Sequence, residues 1–169
     1  MSGIVDLVLR LIAILAAYLC AALAASLFLH FVAWPALFSG MTPEPWVAMG
    51  GLFFSVPLIA IFVAYLAFVP SAVLIGISEI LRYRSWVFHA LAGGLSAFAG
   101  LAIVWQLGER GTVEIAMSEA SGDWPIAQMP QTMAAVVAAG MIGGLVYWAL
   151  CGRRAGYWLE RRSSLSRRD

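Results

Sequence analysis

The sequence predicts an all-α, polytopic membrane protein with four transmembrane helices and both termini cytoplasmic. Three observations predict it. Hydrophobic residues make up 63% of the 169 residues and charged residues only 11%, against roughly 45–50% and 25% in soluble domains. So few charges cannot cover the surface of a water-soluble fold of this size, whereas lipid solvates the outside of a membrane protein. Four apolar runs are each long enough to cross about 30 Å of hydrocarbon, which takes about 20 helical residues. Basic charge, all of it arginine, is gathered on one set of connections.

The first run, 11–34, resembles a leader at first sight. Its apolar stretch from Leu11 to Trp34 far exceeds a signal-peptide core of about 7–15 residues, so it reads as a retained span. The second run, 47–69, is followed by more apolar sequence: from Val47 to Leu81 the only charge is Glu79, and Pro57 and Pro70 interrupt it. Proline lacks the N–H donor and crowds the preceding turn, which predicts a kink near Pro70. Beyond it, "SAVLIGISEILR" places Val73, Leu74, Ile77, Ile80 and Leu81 on one face and Ser71, Ser78, Glu79 and Arg82 on the other. That pattern suits either an amphipathic extension along the interface or a tilted continuation of the span.

The third run is 86–107 and the fourth 132–151. Between them lies an acidic loop, 108–131, expected outside the cytoplasm with a short helix around 113–120. A basic tail, 152–169, follows the fourth run. None of the four runs alternates as a barrel strand would. The chain forms a single four-helix domain.

Loop charge gives the orientation. Arg10, Arg82, Arg84, Arg153, Arg154, Arg161, Arg162, Arg167 and Arg168 fall on one side and Arg110 alone on the other, beside Glu44, Glu109, Glu114, Glu119 and Asp123. The positive-inside rule makes the arginine side cytoplasmic. Tryptophan favours the boundary with water, and Trp34, Trp46, Trp105 and Trp124 fall near one expected surface, Trp86, Trp148 and Trp158 near the other. In the tail, Arg153, Arg154, Arg161, Arg162, Arg167, Arg168 and Trp158 are placed to meet anionic headgroups, each arginine contributing about 1 kcal/mol. Their clustering fixes a side of the membrane and implies no nucleic-acid partner.

Helices in lipid associate through close packing and polar contacts. The fourth run offers Ala135, Ala139 and Gly143 on one ridge, with Gly140 and Gly144 beside it. The third offers Ala90 with Gly94 and Gly93 with Ala97, and the first Ala17, Ala21 and Ala25. The Gly140–Gly144 pair serves either an internal contact or a dimer seam.

Ionisable residues within spans are few, and each is a functional candidate by default. His30 lies near the outer end of the first run and His89 near the inner end of the third, too far apart to share a ligand. Both are expected to bond to backbone or headgroups. Glu79 stands three residues before Arg82, the spacing of a helical ion pair. Cys20 and Cys151 fall at different depths, so no bond between them is expected. The chain has no closely spaced cysteine pair, no HExxH and no Walker A sequence, so no metal or other cofactor is implied. Ser96 has no histidine base in reach, since His89 is two turns away.

Two stretches, "EILRYRSWVFHALAGG" at 79–94 and "GGLVYWALCGRRAG" at 143–156, resemble small four-span inner-membrane proteins of alphaproteobacteria. The resemblance implies a bacterial inner membrane and four helices, and it carries over no catalytic residue.

The reading favoured by these residues is a non-catalytic inner-membrane subunit, scaffold or modulator, whose partners are lipid and other membrane proteins or itself. Two others stay open. One is a homo-oligomeric transporter or channel lined by Ser55, Ser71, Gln106 and the span glycines. The other is a cytoplasmic-face enzyme of lipid or isoprenoid using Glu79 and His89.

Overall fold

The computed structural model of the chain describes residues 2–37, 44–109 and 129–155. Four helices occupy nearly all of them: α1 (Ser2–Leu37), α2 (Pro45–Leu81), α3 (Trp86–Glu109) and α4 (Met129–Leu150), with a 3-10 turn at Gly152–Arg154 after α4. Each holds a segment long and apolar enough to cross a membrane, namely Val5–Ala33, Pro45–Leu81, Trp86–Val104 and Gln131–Leu150. No strand occurs among the described residues. The expected helix at 113–120, Arg161, Arg162, Arg167, Arg168 and Trp158 lie outside the described residues.

Neighbours in the bundle run in a ring: α1 packs on α2 and α4, and α3 packs on α2 and α4. The start of α1, the end of α2, the start of α3 and the end of α4 share one end. Arg10 of α1 there reaches both Glu79 of α2 and the Arg154 carbonyl after α4. All arginines within the described residues lie at this end, called the arginine end below.

The α3–α4 seam is the tightest contact. A Cβ added to Gly93 would overlap the Gly140 carbonyl, one on Gly140 would overlap the Gly93 carbonyl, and one on Gly144 would overlap the His89 carbonyl. The two backbones touch, which only glycine permits. Gly143 turns to α1 instead, where a Cβ would stand 3.0 Å from the Ala21 carbonyl. Ala17, Ala21, Ala25 and Ala139 are buried along that contact, and Ala135 is half-buried. Gly94 lies against Met141 and Val137, and half-buried Ala97 stands beside Gly140. These small residues therefore serve contacts inside one chain.

α2 differs. It begins with Pro45 at the first helical position, where the missing N–H has no partner to lose. It runs to Leu81 with Pro57 and Pro70 inside it. Pro70 leaves the Leu66 carbonyl without its helical donor, and Leu66 packs on Gly100 of α3. The helix closes at Arg82, in the left-handed region at φ 56°, with the Tyr83 N–H donating to the Ser78 carbonyl at 3.0 Å. That is a Schellman-type ending, with arginine where glycine is usual.

Residues 71–81 continue α2 within the bundle. Their polarity is opposite to that of a helix floating at an interface: Ser78 and Glu79 are buried, while Val73, Ile77, Ile80 and Leu81 are exposed. Only 6% of the α2 span is buried inside the protein, against 28% for α3. α2 is the loosely held member of the ring.

Candidate functional site at the arginine end and the interhelical cavity

On its α1 side, α2 is held by a ladder of polar side chains that lie on one face of α1 together with Ala22. Tyr18, Ala22, Ser26 and His30 recur every four residues and so share one helical face. The Tyr18 hydroxyl donates to the Ala64 carbonyl at 2.6 Å, and the Ser26 hydroxyl to the Val56 carbonyl at 2.7 Å. His30, 6% exposed, bonds through Nδ1 to the Ser26 carbonyl at 2.8 Å and through Nε2 to the Ser55 hydroxyl at 2.9 Å. A carbonyl can only accept, so Nδ1 carries the proton and Ser55 donates to Nε2. In lipid a bond of this kind contributes about 0.6 kcal/mol on average.

At the arginine end the ladder finishes in an ion pair. Arg10 Nη2 lies 2.6 Å from Glu79 Oε1, with the two side chains 17% and 11% exposed. Glu79 thus meets a partner from another helix, 69 residues away in sequence, and not merely the neighbouring arginine that its spacing suggests. The same Nη2 donates to the Arg154 carbonyl at 3.0 Å. Arg84, in the turn between α2 and α3, donates from Nε to the carbonyl of the fully buried Ala155 at 3.0 Å. In return the Trp148 indole donates to the Arg84 carbonyl at 2.8 Å. Arg10 and Arg84 clamp the turn after α4 from two sides. Arg153 stacks over Trp148, 4.4 Å from the ring centroid, a cation–π contact at the rim.

Beneath the clamp sits a second polar group. His89 of α3 and Tyr147 of α4 are buried, 4% and 5% exposed, with rings 5.7 Å apart and 24° from parallel. His89 Nδ1 donates to the Ser85 carbonyl at 2.9 Å, leaving Nε2 as a bare lone pair in the neutral ring. His89 Nε2 and Arg10 Nε have no hydrogen-bond partner, and the Tyr147 hydroxyl lies against the Cys151 thiol. Gly152 packs on the imidazole so closely that a Cβ there would stand 2.8 Å from Nε2. Cys151, one turn beyond Tyr147, is buried with Ala17 and Ala21. Burial pushes its thiol pKa up, opposed by the Arg10 charge and reinforced by Glu79. A thiol so placed is a poor nucleophile.

Above the His89–Tyr147 pair, a cavity of about 320 Å³ runs between α2 and the other three helices. Its walls are apolar and largely small, including Ala22 and Ala25 of α1, Gly100 of α3 and Gly140 of α4. His89 and Tyr147 line it, as does Ser96, buried beside Gly93. Of Ser55, Ser71 and Gln106, only Ser71 lines the cavity; Ser55 is bonded to His30 and Gln106 is exposed. No group of three or more potential metal ligands occurs among the described residues.

The sequence named His30, His89 and Glu79 and passed over Tyr18, Ser26, Arg10 and Tyr147. The signal for the first two was present: polar residues at 18, 26 and 30 share the spacing of α1's small residues. Nothing local announced that Arg10 would turn inward.

No protein family, curated protein or solved structure matches this chain. Fold and site together define an integral membrane protein, a bundle of four apolar helices fastened by buried polar side chains.

Proposed function

We propose that this chain is a non-catalytic component of a bacterial inner membrane, with both termini cytoplasmic, acting as a subunit, scaffold or modulator of other membrane proteins. One observation carries the reading: four polar side chains of α1 join it to α2. Arg10–Glu79, Tyr18–Ala64, Ser26–Val56 and His30–Ser55 all connect α1 to α2. Groups so engaged fasten the fold, and a reaction centre would need them released.

The partner-facing element is α2. Trp46, Phe53, Phe54, Phe62, Tyr65 and Phe68 all stand more than half exposed on it, and aromatic side chains are enriched where proteins meet. The arginines gathered at one end support the orientation and contact with anionic headgroups.

The test is affinity isolation of the intact protein after gentle detergent extraction. The expected result is a membrane protein recovered in fixed ratio, lost when Phe54 and Tyr65 are both replaced by leucine and retained after Phe98→Leu on α3. A monodisperse single chain without a partner would overturn the proposal. So would a changed lipid composition in cells carrying Glu79→Ala with His89→Ala, because that result belongs to an enzyme.

A further inference from the structure

Two arginines from different connections meet on one tryptophan. Arg84 belongs to the turn between α2 and α3, and Arg153 to the 3-10 turn after α4. The Trp148 indole donates to the Arg84 carbonyl at 2.8 Å, and the Arg153 guanidinium stacks 4.4 Å from the centre of the same ring. Arg84 Nε holds the Ala155 carbonyl, and Arg10 holds that of Arg154. Both charges are therefore fixed in place by the protein, although both side chains are exposed.

What such a pair offers follows from the shape of arginine. Stacking covers a face of the Arg153 guanidinium and none of its five N–H groups, which lie in its plane. A bond through Nε steadies Arg84, while the fork of Nη1 and Nη2 is the edge that matches a phosphate. A long side chain ordinarily loses rotamer freedom when it binds, and one held beforehand loses less.

The surroundings select the charge of the ligand. Arg82 and Arg154 are exposed in the same two turns, and Asp6 is the one exposed acid among the described residues of this end. Arg82 occupies left-handed backbone at φ 56°, a position glycine takes at less cost. Four cations repel a choline or ethanolamine group and favour a headgroup of net negative charge. Next along α3, Trp86, Val87 and Leu91 are exposed, at the level where the span Trp86–Val104 begins. A soluble anion or a nucleic acid has no use for that apolar wall. The acyl chains of a lipid cover it.

We propose that these two turns together bind the phosphate of one anionic phospholipid, held by Arg84 and Arg153 around Trp148, with its chains lying along α3. The site rests on the headgroup contact proposed above and makes one built place of it, separate from the basic tail. It is independent of the protein partner of α2.

The test uses the purified full chain in a neutral detergent, with bound lipid counted by native mass spectrometry against added phosphatidylglycerol or phosphatidylcholine. One phosphatidylglycerol per chain should be retained, roughly twentyfold more tightly than phosphatidylcholine. Arg153→Gln and Arg84→Gln should each reduce that preference about fivefold, the worth of one arginine at an anionic headgroup. Arg153→Lys keeps the charge without the stacked fork and should fall between. Replacing Arg161 and Arg162 of the tail together by glutamine should leave the preference unchanged. Glycerol 1-phosphate, which has no chains, should not displace the lipid.

Equal retention of the two lipids would remove the headgroup contact and the site together. A preference carried by Arg161 and Arg162 instead would keep the contact and remove the site. Full retention by Arg153→Lys, or displacement by glycerol 1-phosphate, would also overturn the proposal, the second by marking the site of a soluble anion. Should Arg84→Gln fail to fold, Arg153→Gln decides.

Discussion

The two halves of this bundle are held by different physics. Between α3 and α4, glycine faces glycine and backbone touches backbone, so association comes from dispersion over a dry seam. Between α2 and α1, contact is made at a few points by Tyr18, Ser26, His30 and Arg10, and a cavity lies alongside. Lipid tails are as apolar as leucine, so a membrane helix gains little from burying leucine in a neighbour. It must come very close or bond. This chain does the first on one side and the second on the other.

The sharpest way to break the comparison is Gly140→Val. Its side chain has nowhere to go, since even a Cβ would overlap the Gly93 carbonyl and press on Ala97. The backbones must separate along the seam, and the expected loss is at least about 3 kcal/mol, read as unfolding at lower denaturing detergent. The same change at Gly76 of α2, where a Cβ meets nothing within 4 Å, is expected to cost no more than about 0.5 kcal/mol. Equal losses would mean that α2 is packed as tightly as α3.

Next in size is Arg10→Ala. It strips Glu79 of a guanidinium 2.6 Å away and the Arg154 carbonyl of a donor. Removing one partner of a buried pair costs about 3–5 kcal/mol, and the remaining exposure of these two puts the expected loss near 2 kcal/mol. Arg10→Ala with Glu79→Gln should cost less than the two single changes summed, because the charge left behind is gone. Strict additivity, measured by a double-mutant cycle in detergent unfolding, would remove the ion pair from the account.

How much of this was legible in the sequence divides along the same line. Long-range packing of α3 on α4 was written locally, because small residues every four positions reveal a close-approach face before any partner is known. Helix number and the arginine end were legible for the same reason: apolar length and charge placement are properties of one segment at a time. Arg10 was not. Charge asymmetry treats every arginine at a boundary as an anchor in headgroups, and only the position of Glu79, brought over by a different helix, turns this one inward. The face of α2 beyond Pro70 misled in a related way. Its amphipathic pattern was visible, but which side meets lipid depends on whether the bundle offers a polar partner, and here it does.

Smaller still is Tyr18→Phe, which deletes one rung of the α1 ladder without changing shape. One interhelical hydrogen bond in lipid contributes about 0.6 kcal/mol, so the expected loss is below about 1 kcal/mol. Its useful signature is local: amide hydrogen exchange should quicken in α2 around Ala64 while the α3–α4 seam stays protected. Uniform loss of protection would mean that the two halves unfold as one unit.

The smallest effect is a pH dependence at the clamp. Burial raises the Cys151 thiol pKa, with the Arg10 charge opposing and Glu79 assisting. The folded protein therefore holds that proton more tightly than the unfolded chain does. The stabilisation is complete below the ordinary thiol pKa of about 8.5 and is lost as pH rises through the elevated folded value. Cys151→Ala removes the group, so its unfolding midpoint should decline less between pH 8 and pH 10 than that of the unaltered protein. An equal decline in Cys151→Ala and the unaltered protein would mean that the alkaline loss arises elsewhere.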